Sequence, residues 1–144
     1  ILDGTHIHPR MVDLVCRAKP KDKIVGVSDA VQGTGLDDGS YRMGDTQIFV
    51  RDGRVTTRDG VLAGSTMMLE RGWRHLVQFS HLKATEAAAC MTLNPARSLG
   101  LDDRGELAPG KLADMVFFNS KDNSVRMVVV KGRIVYDSAS RPKN

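Results

Sequence analysis

The sequence predicts an α/β protein whose C-terminal stretch is β structure. Three features lead there. A helical apolar pattern from Pro9 is followed by the short apolar run Ile24-Val25-Gly26-Val27. A Gly-, Asp- and Thr-rich stretch from Gly33 to Gly64 contains short β-branched runs, and from Val125 onward apolar residues alternate with polar ones.

From Pro9 to Lys19, Met11, Leu14, Val15 and Ala18 follow the i, i+3, i+4, i+7 spacing of an amphipathic helix, with Pro9 acceptable in its first turn. Its apolar stripe is expected to cover a sheet. The run Ile24 to Val27 shows no alternation, which is how a strand buried on both faces of a parallel sheet reads. Strand, helix and strand together imply a βα repeat. Asp52-Gly53 and Asp59-Gly60 lie beside the runs Gln47 to Val50 and Arg54 to Thr56, so residues 40–63 read as a small β-hairpin insertion. Ser65 reads as the N-cap of a helix with Leu69, Trp73, Leu76 and Val77 on its inner face. A further helix runs from about Thr85 to Leu93; Pro95 interrupts the pattern, Ala96 to Leu99 resumes it, and Gly100 ends it. Beyond this, Asp114 to Phe118 reads as a strand, and Val125 to Tyr136 as a hairpin turning at Lys131-Gly132. Residues 138–144 read as a frayed tail.

Composition narrows the class. At 144 residues, with 41% hydrophobic and 26% charged residues, the chain is an ordinary globular one, long enough for a core. The net charge of +4 is scattered, and aromatics are sparse at 5%, so no basic stripe marks a nucleic-acid surface. No apolar run approaches the ~20 residues that cross a membrane, and no leader pattern precedes the first motif. Cys16 and Cys90 sit singly in apolar helical segments, as reduced thiols of a cytoplasmic protein would. The opening Ile1-Leu2-Asp3-Gly4 has no methionine and reads as the end of a strand, suggesting that the domain begins upstream. No repeat of 20–50 residues is evident, and the Gly33 to Gly39 loop lacks phosphate-loop spacing.

Chemistry-bearing residues are few. Asp29 follows the apolar run directly, at the carboxyl end of the expected strand, where α/β enzymes place catalytic groups; it equally fits a residue capping the next turn. His6 and His8 flank Ile7, so on a strand both imidazoles would project from one side and could bind a metal or orient a carbonyl, while His8 also suits a cap for the helix at Pro9. His75 and His81 have no partner at metal-ligand spacing and read as structural or exposed. Met67, Met68, Met91 and Trp73 read as core.

Four ordered segments carry a resemblance. Asp3-Gly4-Thr5-His6-Ile7-His8-Pro9, Val27-Ser28-Asp29-Ala30, Leu62-Ala63-Gly64-Ser65 and Asn94-Pro95-Ala96-Arg97-Ser98-Leu99-Gly100-Leu101 resemble successive motifs of the N-acetylglucosamine-6-phosphate deacetylases. The stretch Gly105 to Val116 is similar to the amidohydrolase superfamily in general. The resemblance runs from Leu2 to about Tyr136. It implies the C-terminal portion of a metal-dependent-hydrolase TIM (β/α)8 barrel over residues 1–112, with His6 and Asp29 ending its seventh and eighth strands. It also implies strands of a small β-sandwich over residues 113–137.

The chemistry implied is removal of the acetyl group from an amino-sugar 6-phosphate, with a divalent metal, commonly zinc, activating water and polarising the amide carbonyl. By the resemblance Asp29, near that water, is the general base, taking its proton and later protonating the departing amine. His6 orients the substrate and stabilises the developing oxyanion. Leu62, Gly64 and Ser65 line the sugar and acetyl pocket, the glycine allowing close approach. Ser28 stands where many relatives have threonine, and either hydroxyl suits the turn. The family's metal ligands, a glutamate and two histidines from earlier strands, have no counterpart here, so the chain alone is expected to be inactive. Its expected partners are the substrate and either a second copy or a separate N-terminal half. Two other readings stay open: a non-catalytic interaction module, and an amidohydrolase for another N-acyl or cyclic amide substrate.

Overall fold

The computed structural model describes residues 1–140. Contacts divide the chain into two compact units, Ile1–Met91 and the residues from Thr92 onward. The boundary after Leu112 that the resemblance implies lies within the second unit.

The first unit opens with bends over residues 3–7 and then helix α1, Pro9–Ala18. His8 caps α1: its Nδ1 accepts the Arg10 N–H at 3.2 Å. The expected apolar stripe is not the buried one. Val12 and Cys16, four residues apart on one face, are buried, whereas Met11, Leu14 and Val15 are exposed. Helices rather than a sheet cover the buried face of α1. It packs on helix α2, Leu69–Phe79, and shares a core with helix α3, Ala84–Met91. That core joins Leu2, Val12, Cys16, Ile24, Met67, Leu76, Leu82, Ala87 and Cys90. Both cysteines are free thiols within it, and burial pushes each above its ordinary pKa.

The residues from Ile24 to Val27 form no strand, though Ile24 itself is extended. Alternation explains their burial. Ile24 turns into the helical core and the Gly26 N–H donates to the Cys90 carbonyl at 2.9 Å, while Val25 and Val27 face outward at 41% and 48% exposure. One face is covered, not two, which corrects the reading of a strand buried on both sides.

The expected hairpin insertion is a four-stranded antiparallel meander: β1 (Gly39–Met43), β2 (Thr46–Arg51), β3 (Arg54–Thr57) and β4 (Leu62–Ser65), paired in sequence order. Asp52 and Gly53, at φ 50° and 77°, make the tight β2–β3 turn that the Asp-Gly pair predicts. Ile48, Val50 and Val55 form a second small core against Val31, Tyr41, Met43 and Ala63. Ser65 closes β4 and is not a helix cap. Its Oγ accepts the Met67 N–H at 2.7 Å, and α2 begins at Leu69 behind Met68 without a side-chain cap. Within α2, Leu76 is buried and Trp73 and Val77 pack on the core, but Leu69 is exposed.

In the second unit helix α4, Leu93–Ser98, accommodates Pro95 in its first turn. It ends in a Schellman closure: Leu101 N–H donates to Ala96 O at 2.9 Å and Gly100 N–H to Arg97 O at 3.1 Å. Strands β5 (Met115–Phe118), β6 (Val125–Val130) and β7 (Arg133–Asp137) form an antiparallel sheet, with the β6–β7 hairpin turning at Lys131-Gly132 as expected. Ser138–Ser140 form a 3-10 turn; the remainder of the expected frayed tail lies outside the described residues.

Candidate functional site

The sequence-predicted pair meets in the first unit. His6 sits in a turn that Asp3 holds: Asp3 Oδ1 accepts the N–H groups of Thr5 and His6, each at 2.9 Å, and Oδ2 lies 2.7 Å from His6 Nδ1. The backbone there is bent, so the two imidazoles do not project side by side from a strand. The other ring nitrogen of His6, Nε2, lies 3.6 Å from Asp29 Oδ2. That is too long for a firm hydrogen bond but close enough for an ion pair when the ring is protonated. The His6 side chain is 19% exposed and that of Asp29 46%, so the carboxylate reaches solvent while the ring is largely enclosed.

Asp29 adopts φ 55°, a left-handed conformation that short acidic residues tolerate better than most. Strand β4 holds it there. The Ser65 N–H donates to the Asp29 carbonyl at 2.8 Å and the Val31 N–H to the Ser65 carbonyl at 3.0 Å, a parallel bridge between Ala30 and Ser65. The insertion is therefore part of the site's frame. Gly64 lies against this bridge at φ 108°; a Cβ there would stand 2.4 Å from Val31 Cγ1 and 3.1 Å from the Asp29 carbonyl oxygen. Only glycine fits so close an approach.

The turn-cap alternative for Asp29 is answered by its neighbour. Ser28 Oγ accepts the Ala30 N–H at 3.3 Å, so a hydroxyl serves the turn and the Asp29 carboxylate is directed to His6. Asp3 is the residue that sequence reasoning missed. Its signal was the Asp-Gly-x-His spacing of a side-chain-held turn, which places an imidazole three residues after a carboxylate. Burial pulls the Asp3 carboxyl upward, but hydrogen bonds from the His6 backbone and ring and from Thr5 outweigh this and hold it below its ordinary value.

Of the proposed pocket residues, all on β4, Leu62 is half-buried, whereas Gly64 and Ser65 are buried and lie against the Asp29 backbone. His8 is committed to its capping bond. His75 Nδ1 contacts the Leu2 carbonyl, and His81 Nδ1 lies 3.4 Å from Asp13, so both remain structural. Among the described residues, no three His, Cys, Asp or Glu side chains gather so as to hold a metal ion, and Asp3, His6 and Asp29 do not fit such a site. No helix among them is long and apolar enough to cross a membrane. A cavity of about 420 Å³ in the second unit, lined by Phe118, Asn119, Arg126 and Ser138, contains none of the sequence-predicted site residues.

A carboxylate beside a largely enclosed imidazole is a pair that general acid–base chemistry can use. The chain belongs to the Amidohydrolase family, which matches residues 3–135. It is 37% identical over 144 residues to an N-acetylglucosamine-6-phosphate deacetylase of Vibrio furnissii, covering 99% of this chain and 36% of that protein. It is 36% identical over 135 residues to an N-acetylgalactosamine-6-phosphate deacetylase of Escherichia coli O157:H7, covering 93% of this chain and 35% of that one. The crystal structure of the Thermotoga maritima N-acetylglucosamine-6-phosphate deacetylase superposes with a TM-score of 0.89 at 38% identity, over 96% of this chain and 38% of that one. The chain thus spans about a third of the length of each of these three deacetylases.

Proposed function

We propose that this chain is part of an amidohydrolase that removes the acetyl group from N-acetylglucosamine 6-phosphate, with Asp29 as general base and His6 as the group that orients the acetyl carbonyl. The observation that carries the proposal is the meeting of His6 Nε2 and Asp29 Oδ2 at 3.6 Å, in a chain related to deacetylases along nearly its whole length. Asp29 takes a proton from the attacking water and later returns one to the departing sugar amine. His6, largely enclosed, offers the carbonyl oxygen a donor from a fixed direction. Leu62, Gly64 and Ser65 form the adjoining wall of the sugar and acetyl pocket.

Amidohydrolases generally use a divalent metal, commonly zinc in this reading, which would lower the pKa of water and polarise the carbonyl. The described residues supply a base and an imidazole but no metal-holding trio, so the 144-residue chain by itself is expected to release no acetate. The fold assignment that accompanies the proposal is the C-terminal part of a (β/α)8 barrel, with β5–β7 belonging to a small sandwich. Pairing with a second copy, or with a polypeptide that supplies the remaining strands, belongs to the same proposal.

The test is acetate release from N-acetylglucosamine 6-phosphate by the longest polypeptide that the reading frame around this chain encodes. Asp29→Asn should lower kcat by roughly 10²-fold or more with little change in KM. Undiminished turnover would overturn the proposal. The relationship to a galactosamine-series deacetylase supports a second substrate reading, so the assay includes N-acetylgalactosamine 6-phosphate. A higher kcat/KM for that sugar would move the specificity while leaving the chemistry.

A further inference from the structure

Asp3 takes no part in the chemistry just described, yet all of its observed polar contacts converge on the His6 turn. We infer that Asp3 is a positioning residue that holds the proton of His6 on Nδ1 and so leaves Nε2 as the nitrogen facing Asp29 and a bound carbonyl. The inference rests on reading His6 and Asp29 as the reactive pair.

The geometry is specific. Oδ1 of Asp3 is occupied by two backbone N–H groups at 2.9 Å, which fixes the carboxylate plane, and Oδ2 is then delivered to His6 Nδ1 at 2.7 Å. An ionised carboxylate has no proton to give, so the proton of this contact belongs to the ring. Asp3 is held in its ionised form by those same donors.

Two consequences follow for His6. The ring cannot turn over to present Nδ1 to Asp29 without breaking the 2.7 Å contact. Donation from Nε2 to a carbonyl oxygen then requires the doubly protonated ring, because the neutral ring has spent its one proton on Asp3. Asp3 therefore decides which nitrogen reaches the reacting atoms and in which protonation state it can donate.

Replacing Asp3 by asparagine reverses the polarity of the contact while keeping the turn. The asparagine oxygen can still accept from Thr5 and His6, and its NH₂ group then donates toward Nδ1. The measurement is the pair of ring ¹⁵N chemical shifts of His6 in the labelled 144-residue chain, at a pH shown by titration to leave the ring neutral. The unchanged chain should show the proton on Nδ1. Asp3→Asn should move it to Nε2 with the Thr5 and His6 amide signals retained, and Asp3→Ala should give a mixture of the two forms.

A proton on Nε2 in the unchanged chain would overturn the inference, and that reading needs no variant to fold. So would a proton that stays on Nδ1 in either folded variant. Asp29→Asn should leave the Nδ1 proton in place. Loss or retention of acetate release in Asp29→Asn judges the proposed reaction, whereas the ring shifts judge Asp3, so the two can fail separately.

Discussion

In the meander β1–β4, Ile48 and Val55 are fully buried and Val50 nearly so; in the sheet β5–β7, Val129 alone is buried among the described residues, and Ile134 and Val135 stay 62% and 61% exposed. Both are antiparallel sheets of neighbouring strands joined by short turns, and both pair in register along most of their length. The difference shows that turn chemistry and alternation suffice to pair strands, whereas burial requires something to cover the face they create. In the first unit that cover is local. Val31, Tyr41, Met43 and Ala63 close over Ile48, Val50 and Val55, and β4 then anchors the backbone of Asp29. The stability that burial confers therefore lies where the candidate site is built.

The largest expected effect that tests this contrast is at Ile48. Ile48→Ala removes a fully buried side chain from the small core and should cost about 2–5 kcal/mol in urea unfolding. An intermediate expectation concerns pH. Asp3 is held below its ordinary pKa in the folded chain, so its contribution to stability is complete above the unfolded value near 4 and is lost as pH falls through the lower folded value. Urea midpoints recorded from pH 6 down to pH 2 should therefore fall more steeply for the unchanged chain than for Asp3→Asn. Parallel curves would remove the carboxylate from the account. The smallest effect should be at Ile134, where truncation to alanine on an exposed strand position should change stability by no more than about 0.5 kcal/mol. A cost at Ile134 equal to that at Ile48 would break the contrast between the two sheets.

Legibility in the sequence followed the same division. The β6–β7 hairpin, the Asp52-Gly53 turn, helix α3 and the stop after α4 were readable, because each depends on turn residues, propensity or spacing within a few positions. The buried face of α1 is not legible: Met11, Leu14 and Val15 look like a stripe, but Val12 and Cys16 are what the neighbouring helices cover. The apolar run at Ile24 reads as a doubly buried strand, though only one of its faces meets the helices. Ser65 looked like a cap because a helix follows, while its hydroxyl serves the turn before that helix.

At the site, His6, Asp29 and the Leu62 to Ser65 segment were legible as motif residues. Their mutual placement was not. Asp3 and Gly64 acquire their importance only from neighbours: Asp3 from the ring it holds at 2.7 Å, and Gly64 from Val31 and the Asp29 carbonyl, which leave no room for a Cβ.

By itself the sequence determined helices α1 and α3, the strands after Gly39 with their turn positions, and the reduced character expected of two isolated cysteines; it also offered candidate chemical residues. These follow from backbone preferences, periodicity and side-chain functional groups, which act locally. Only the tertiary structure decided which helix face is buried, that the insertion's last strand supports Asp29, and that the two ring nitrogens of His6 face Asp3 and Asp29. Those facts depend on contacts between segments far apart in the chain, and such contacts are set by the packing of the whole unit.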